Sequence, residues 1–244
     1  MKFIIVSVFC IISFLCNSQE KNSYKAIYEY EIKKEKIIKN FKKKNKNISN
    51  PRLIEKSLQL FLKSKPTEAV LYFDRKFSFY DVIERLDFEN NNYAKIDPSY
   101  ASAGRNIKIY NEAKNNFLVE YQENSVFKDY NEYQIKYKCK EFKVTGKKKK
   151  INNFNCIQAT TKDNSGNEVN VWFTPDISTS FGPKRFCNLP GLIVLIDAYS
   201  YKAVLKSIKK YNKKIETHPK DVIFIDTITL NKLSQNSFNK VFQN

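Results

Sequence analysis

Residues 24–32 of the chain read Tyr-Lys-Ala-Ile-Tyr-Glu-Tyr-Glu-Ile. Tyr24, Ala26, Tyr28, Tyr30 and Ile32 occupy every second position, and most residues between them are charged. A period of two is typical of a strand with one buried and one solvated face. The stretch therefore predicts a half-buried β-strand, whose aromatic character returns along most of the chain after residue 66.

That later region consists of short aromatic and β-branched segments separated by turns rich in Asn, Asp and Gly. Predicted strands cover residues 67–73, 76–83, 107–110, 117–121, 126–130, 132–144, 151–161, 168–174 and 192–196. Short strands at regular spacing are typical of antiparallel architectures. The sequence therefore predicts a mainly β (α+β) fold, a single curved antiparallel sheet or half-barrel meander, with a β-sandwich as the alternative.

Two helices interrupt this pattern. Apolar residues at helical spacing predict one over residues 51–63, with Asn50 as its N-cap. A short C-terminal helix is predicted to begin at Thr229. Residues 40–50 are interpreted as a polar, basic link and residues 89–106 as an irregular loop.

Composition limits the classes of function. The 244 residues contain 43 Lys+Arg against 25 Asp+Glu, a formal net charge of +18, and 42% are hydrophobic. That is enough apolar material for a core, and no obvious linker divides residues 19–244, so we predict a single domain. No nucleic-acid-binding motif accompanies the charge, and one histidine excludes most metal and triad chemistry.

The first residues are interpreted as a signal for export. A lysine, a short apolar run and small or polar residues over residues 1–18 are typical of a signal peptide, with cleavage after Ser18. Cys16 raises the alternative of lipidation, but Leu15 stands where that peptidase requires a small residue. We therefore predict an exported protein of the periplasm or outer-membrane side.

Three cysteines then remain, namely Cys139, Cys156 and Cys187. An odd number in an oxidising compartment allows one disulfide and one free thiol. A bond between Cys139 and Cys156, on neighbouring strands of a hairpin, is one interpretation. Buried free thiols are the other.

The most distinctive sequence lies between residues 171 and 193. Its characteristic positions are Trp172, Thr174, Gly182, Pro183, Asn188, Leu189, Pro190, Gly191, Leu192 and Ile193. This order, with the upstream run at residues 153–159, resembles the GLPGLI family, secreted proteins of a Gram-negative phylum. Asn188 replaces the first glycine of the hexapeptide, and Ser178 stands where Ile-Pro is usual. The resemblance implies export and assigns no activity.

The hexapeptide itself is interpreted as a structural turn. Asn188 is the commonest substitute for glycine in the left-handed region of backbone conformation. Pro190 and Gly191 fit the second and third positions of a type II turn. On this interpretation the motif holds Trp172 and Phe186 over the sheet.

No residues suggest catalysis, cofactor binding or metal binding. His218 has no oriented carboxylate or nucleophile, and Asp81, Glu84 and Asp87 are interpreted as a solvated face. Lys147, Lys148, Lys149 and Lys150 are predicted to form a hairpin tip that could contact anionic lipid or an acidic partner.

These observations favour an exported, non-enzymatic binding or assembly protein of the bacterial cell envelope. Its partner would be an apolar small ligand or an outer-membrane protein, with weak contact to anionic surfaces and none to nucleic acid. A structural role in an outer-membrane transporter complex and a cell-envelope hydrolase are the alternatives.

Overall fold

The computed structural model describes residues 22–44, 51–84, 97–115, 117–123, 125, 127 and 130–242. The strands in these ranges are β1 Ser23–Ile32, β2 Thr67–Phe73, β3 Phe77–Val82, β4 Ile107–Glu112, β5 Phe117–Gln122, β6 Tyr133–Lys138, β7 Lys143–Ile151, β8 Phe154–Lys162, β9 Glu168–Thr174, β10 Leu192–Asp197 and β11 Tyr201–Tyr211. The helices are α1 Lys34–Lys44, α2 Pro51–Lys63, α3 Pro98–Ala103 and α4 Thr227–Phe242. The predicted signal peptide at residues 1–18, including Cys16, lies outside the described residues.

All eleven of these strands form one antiparallel sheet in the order β6-β5-β4-β3-β2-β1-β11-β10-β9-β8-β7. The prediction of a mainly β fold with a single antiparallel sheet is confirmed. The alternative of a β-sandwich is wrong, because the strands are hydrogen-bonded into one layer.

The sheet is strongly curved. Strands β6 and β7 form its two opposite edges, yet only residues 139–142 connect them. Ten inter-strand spacings in a flat sheet would separate the edges by about 48 Å. A five-residue step spans at most about 18 Å. The sheet must therefore curl until the end of β6 lies close to the start of β7.

The concave side holds the main core. Ala26, Tyr28 and Tyr30 of β1 are fully buried there, as the alternation predicted. Helix α3 and the loop between β9 and β10 pack into the same core. The Tyr28 hydroxyl donates to the Ile193 carbonyl at 2.7 Å, which fixes the start of β10 against β1.

The segment after β11 covers part of the opposite face. Ile215 packs there against aromatic residues of β3, β4 and β5. Gln134 of β6 is fully buried, and its amide nitrogen donates to the carbonyls of Pro219 (2.7 Å) and Val222 (3.0 Å). This glutamine anchors the segment to the edge of the sheet.

The predicted helix over residues 51–63 is confirmed as α2, and its predicted N-cap Asn50 lies outside the described residues. Helix α1 was not predicted, and the C-terminal helix differs from prediction at its start. Helix α1 includes residues 40–44 of the predicted polar link, and the rings of Phe41 and Phe61 pack α1 on α2. Helix α4 begins before Thr229, because the Asp226 carboxylate accepts the Thr229 backbone N–H at 2.6 Å and caps it. Within the described residues, no helix has the length and apolar character needed to cross a membrane.

Helix α3 replaces part of the predicted irregular loop. Asp97 accepts the Ser99 backbone N–H as an N-cap, and Pro98 occupies the first turn. Gly104 ends the helix in a left-handed conformation, with φ 107°. The described end of that loop therefore contains complete start and stop signals for one short helix.

Candidate ligand-binding cleft

The Gly-Pro pair of the motif introduces a tight turn. The Phe186 backbone N–H donates to the Pro183 carbonyl at 3.2 Å, so Lys184 and Arg185 occupy the two central positions. Lys184 has φ 55°, a left-handed backbone conformation that residues other than Gly, Asn and Asp seldom adopt. Such strain in a non-glycine residue indicates a position held by its surroundings.

The Lys184 ammonium lies in a desolvated environment. It donates to the Ser102 carbonyl of α3 at 2.9 Å and lies 5.7 Å from the centre of the Tyr201 ring. Desolvation, together with the nearby charges of Arg185 and Lys140, lowers its pKa to about 8, although Glu120 opposes this shift. None of the ion pairs between described residues includes Lys184.

Arg185 beside it is held by an ion pair and a ring contact. Its Nε and Nη2 atoms donate to Glu120 Oε2 at 2.9 and 2.7 Å, and its guanidinium lies 3.4 Å from the Tyr137 ring centre. Glu120 is buried on β5. The buried carboxylate therefore compensates the charge of Arg185 and leaves that of Lys184 unpaired.

Lys140 supplies a further cation, which forms no direct ion pair with any described residue. Its ammonium donates to the Lys162 carbonyl at 3.0 Å, and its backbone N–H donates to the Arg185 carbonyl at 3.3 Å. Burial lowers the pKa of Lys140, with a further contribution from Arg185. Two lysines from distant parts of the sequence thus converge on one place.

Around these groups is a cavity of about 370 Å³, which we call the central cleft. Its lining residues are Ile107, Ile109, Glu120, Lys140, Asp163, Asn164, Ser165, Val169, Lys184, Arg185, Phe186, Ala198, Ser200 and Tyr201. Asp163, its second carboxylate, accepts the backbone N–H groups of Ser165 and Asn167 and the Asn167 side-chain amide. Hydrogen bonds from Asn167 hold the pKa of Asp163 below its usual value, so this charge stabilises its own turn.

A larger cavity of about 730 Å³, which we call the motif cavity, lies beside the hexapeptide. It is lined by Asn22, Tyr24, Phe73, Asp74, Arg75, Asp176, Ile177, Ser178, Thr179, Ser180, Phe181, Leu189 and Pro190. The structure therefore divides the motif residues between two places. Leu189 and Pro190 line this cavity, whereas Gly182 and Pro183 form the approach to Lys184.

The remaining motif residues are mostly structural. Trp172, Thr174, Leu192 and Ile193 are buried in strands β9 and β10. Asn188 has φ 72°, so it lies in the left-handed region expected of it.

The predicted type II turn at the hexapeptide is wrong. The Gly191 N–H donates to the Leu189 carbonyl at 2.9 Å, so the chain makes a γ-turn centred on Pro190. Leu192 N–H donates instead to the Ile177 carbonyl at 3.1 Å. Gly191 has φ 158°, far from the value near +80° of a type II turn, and is required for a different reason, the closeness of the Thr174 carbonyl.

The proposed bond between Cys139 and Cys156 is also wrong. Cys139 is bonded to Cys187, with their Cα atoms 5.4 Å apart, and Cys156 is a buried free thiol. The pairing follows from the curved sheet, because residue 139 lies where the chain passes from one edge to the other. The disulfide fixes this connection to the loop that carries Lys184 and places Lys140 beside it.

Lys147, Lys148, Lys149 and Lys150 do not form a hairpin tip. They lie on edge strand β7, and the turn follows at residues 152–153, where Asn152 adopts φ 52°. All four are exposed, and the Lys149 ammonium lies 4.1 Å from the Trp172 ring centre. Lysines on an edge strand oppose pairing with another chain, which gives this run a structural explanation.

The acidic residues predicted to form a solvated face do not behave alike. Glu84 is exposed, and Asp87 lies outside the described residues. Asp81 is half-buried, and burial raises its pKa to about 6, with Lys108 opposing the shift and Glu123 and Glu216 adding to it.

The ring of His218, the single histidine, packs edge-on against the rings of Tyr110 and Phe224. Across the part of the chain that the structure describes, no group of three or more His, Cys, Asp or Glu residues could hold a metal ion.

Sequence reasoning missed the central cleft. Its cations come from one turn, at Lys184 and Arg185, and from the inter-strand connection at Lys140, which are far apart in sequence. The one local signal is the dipeptide Lys184-Arg185 directly after the Gly-Pro pair, which places two cations in a turn next to a cysteine.

Residues 101–195 match the model of a family described as a protein of unknown function (Porph_ging), which confirms the resemblance over that range. Two crystal structures of PNGF-II are similar in fold, with TM-scores of 0.55 and 0.54 and sequence identities of 15% and 16%. Each comparison covers 87% of this chain but only 32% and 33% of the PNGF-II chains, so this chain spans about a third of their length. No curated protein matches the sequence.

Proposed function

We propose that this protein is an exported, non-enzymatic binding protein of the bacterial cell envelope that takes one small ligand into the central cleft. The observation that carries the proposal is the cleft itself, a cavity of about 370 Å³ with charged side chains held in fixed positions around it. Cavities of this size lined by apolar surface and a few convergent polar groups are typical of ligand sites.

Pre-organisation supports binding as the role. Arg185 is fixed by Glu120 and Tyr137, and Lys184 by the carbonyl of Ser102. A site whose side chains are already positioned loses less conformational entropy when a ligand arrives. Burial keeps the Tyr201 hydroxyl protonated by raising its pKa, so it serves as a hydrogen-bonding group.

Two independent features support export. The segment at residues 1–18 has the composition of a signal peptide. The Cys139–Cys187 disulfide joins the connection between β6 and β7 to the loop that carries Lys184. Structural disulfides persist mainly in oxidising compartments outside the cytoplasm.

Assembly with an envelope protein is a second candidate, favoured by the motif cavity. Leu189 and Pro190 of the hexapeptide line it beside the charged pair Asp74 and Arg75. A partner seated there would contact the hexapeptide directly.

A matched pair of substitutions separates the two candidates. Ser165 and Ser178 are both exposed loop residues, one lining the central cleft and the other the motif cavity. We expect native mass spectrometry of the exported protein, isolated from its source, to show one small molecule per chain. Ser165→Trp should abolish that occupancy by obstructing the cleft, and Ser178→Trp should leave it unchanged.

The opposite pattern would contradict the proposal. Loss of a stoichiometric membrane protein from a gentle pull-down of Ser178→Trp, with no small molecule in the wild type, would assign assembly instead. Recovery of the chain from the cytoplasm with residues 1–18 still attached would contradict export.

The edge lysines are proposed to steer the protein towards anionic surfaces. We expect wild-type protein to bind phosphatidylglycerol vesicles at about 0.01 M salt and to be released at about 1 M, because the screening length falls from about 30 Å to about 3 Å. Replacing Lys147, Lys148 and Lys150 by Gln should remove most of the binding in a vesicle sedimentation assay. Exposed Lys202, Lys209 and Lys210 of β11 provide a control with the same loss of charge. Equal losses in the two variants would show that only net charge matters.

A further inference from the structure

We propose that the central cleft binds the anionic group of its ligand, a carboxylate or a phosphate, between the ammonium groups of Lys184 and Lys140. This inference rests on the proposed function, because it names the ligand chemistry of the same cleft. The proposal rests on the excess positive charge of the lining, on the lysine N–H groups that have no acceptor among the described residues and on the apolar residues of the same lining.

The lining carries more positive charge than its carboxylates neutralise. It holds three cations and two carboxylates. Glu120 is ion-paired with Arg185, which donates to it twice, whereas Asp163 accepts hydrogen bonds from its own turn and keeps a negative charge that also acts on Lys140. The lining therefore retains one positive charge in excess. Lys184 and Lys140 both line the cavity, and neither forms a direct ion pair with a carboxylate of the described residues, although the charge of Asp163 acts on Lys140.

The two lysines also retain donors. An ammonium has three N–H groups. One N–H of Lys184 goes to the Ser102 carbonyl, and one of Lys140 goes to the Lys162 carbonyl. A carboxylate or phosphate placed between them would accept charge-assisted hydrogen bonds, which are about twice as strong as neutral ones.

Burying a charge without a counter-ion is unfavourable, so its retention needs a reason. Here three separate structural features hold the two ammonium groups in this unfavourable position. They are the left-handed backbone of Lys184, the carbonyl of Ser102 and the Cys139–Cys187 disulfide, which holds Lys140 next to the same loop. An incoming anion would relieve the repulsion between these cations.

The remaining lining suits an apolar body. Ile107, Ile109, Val169 and Phe186 line the cleft together with the Tyr201 ring. A volume of about 370 Å³ lies near the lower end of the range for small-ligand pockets, about 300 to 1,000 Å³. The cleft therefore fits a free anion or a short amphiphile better than an intact membrane lipid.

Binding should depend on pH in a defined direction. Lys184 is protonated below its pKa of about 8 and loses its charge above it. Among the groups around it, hydrogen bonds from Asn167 hold the pKa of Asp163 below its usual value, and burial raises the pKa of Tyr201, so neither group changes its charge as the pH passes through 8. The pKa of Lys140 is also lowered, so it would lose charge in the same direction. Affinity for an anion should fall as the pH rises through about 8.

Isothermal titration calorimetry on the mature, disulfide-bonded protein tests the inference with four probes. They are inorganic phosphate, hexyl phosphate, hexanoate and the neutral analogue hexanol. We expect hexanoate and hexyl phosphate to bind at least about tenfold more tightly than hexanol, the factor expected for hydrogen bonds to charged groups. Inorganic phosphate binding as tightly as hexyl phosphate would identify a free anion as the ligand source, and weaker binding would identify an amphiphile.

Three variants test whether the charge of Lys184 is needed to bind the anionic probes. Lys184→Met should weaken binding of hexanoate at least about tenfold without lowering Tm, because it removes a desolvated charge. Lys184→Arg should retain binding and show a weaker decline above pH 8, because arginine stays protonated. Lys149→Met is the matched control, since it removes the same charge and a similar ring contact outside the cleft.

The outcomes separate the two proposals. Hexanol bound as tightly as hexanoate, or Lys184→Met binding hexanoate as tightly as wild type does, would overturn the anion site and leave the binding function standing. Failure of every probe, with no native ligand found by mass spectrometry, would overturn both.

Discussion

Removing the Cys139–Cys187 disulfide is expected to lower the free energy of unfolding by about 4 kcal/mol. The two cysteines are 48 residues apart, and a cross-link that closes a loop of this length restricts the unfolded chain by about that amount. For a chain of this size the loss corresponds to a fall in Tm of about 10 °C. Thermal and urea unfolding of a Cys139→Ser/Cys187→Ser double variant would measure it.

The third cysteine provides the control. Cys156 is buried, and burial raises the pKa of its thiol, so it behaves as a small apolar side chain. Cys156→Ala should destabilise the protein by only about 1 kcal/mol, the usual effect of a single substitution. A non-reducing peptide map that joins Cys139 to Cys156, or equal losses for the two variants, would contradict the assignment.

The disulfide also connects stability to the cleft. It ties the connection between β6 and β7 to the loop that presents Lys184, and it positions Lys140 beside that loop. If the cleft binds an anion as proposed, the double variant should also lose affinity for hexanoate at temperatures where it is still folded. The effect would come from positioning, because neither sulfur is needed to contact the ligand.

Much of the sheet could be predicted because its signals are local. The alternation at residues 24–32 corresponds to β1, and the segments at residues 67–73 and 76–83 correspond to the β2–β3 hairpin. Asp74 explains the turn between them, since its carboxylate accepts the backbone N–H groups of Lys76 and Phe77. Local hydrogen bonds of this kind are readable from residue type alone.

The lysine run was misassigned because charge is a weak signal for a turn. Exposed lysines suit a hairpin tip and an edge strand equally well. Asn152 decides between these, because Asn tolerates the left-handed conformation that a tight turn needs. The error placed the turn before residue 151 and merged residues 139–142 into a continuous strand.

The cleft and the disulfide could not be predicted, because both depend on the curvature that brings the two edges of the sheet near each other. Lys140 lies between the two edge strands, and Lys184 lies in a loop that fills the concave side. Nothing in the local sequence shows that the edges approach each other. Once the chain is seen to cross from β6 to β7 within residues 139–142, the pairing of Cys139 with Cys187 and the meeting of the two lysines follow together.

The second large effect is expected at Gly191 of the hexapeptide. A Cβ atom added there would lie 2.1 Å from the Thr174 carbonyl oxygen and 2.7 Å from its carbon. Both atoms belong to the backbone of β9, which pairs with β10 at Thr174 and Leu192, so they cannot move aside without disturbing the central sheet. Gly191→Ala should therefore reduce the free energy of unfolding by at least about 3 kcal/mol, the upper range for overpacking in a core.

Gly166→Ala separates this steric effect from the conformational freedom of glycine. Gly166 has φ 79°, and a Cβ added there would meet no heavy atom within 4 Å, so its replacement should lower stability by about 1 to 2 kcal/mol through the left-handed backbone alone. Urea unfolding of the two variants in parallel makes the comparison, and soluble yield gives a second measure if Gly191→Ala does not fold. A smaller loss at Gly191 than at Gly166 would show that β9 and β10 do not approach as closely as the hexapeptide requires. A larger loss of stability at Gly191 than at Gly166 would show that the close approach of β9 requires glycine beside Pro190. That requirement holds whether or not the motif cavity binds a partner.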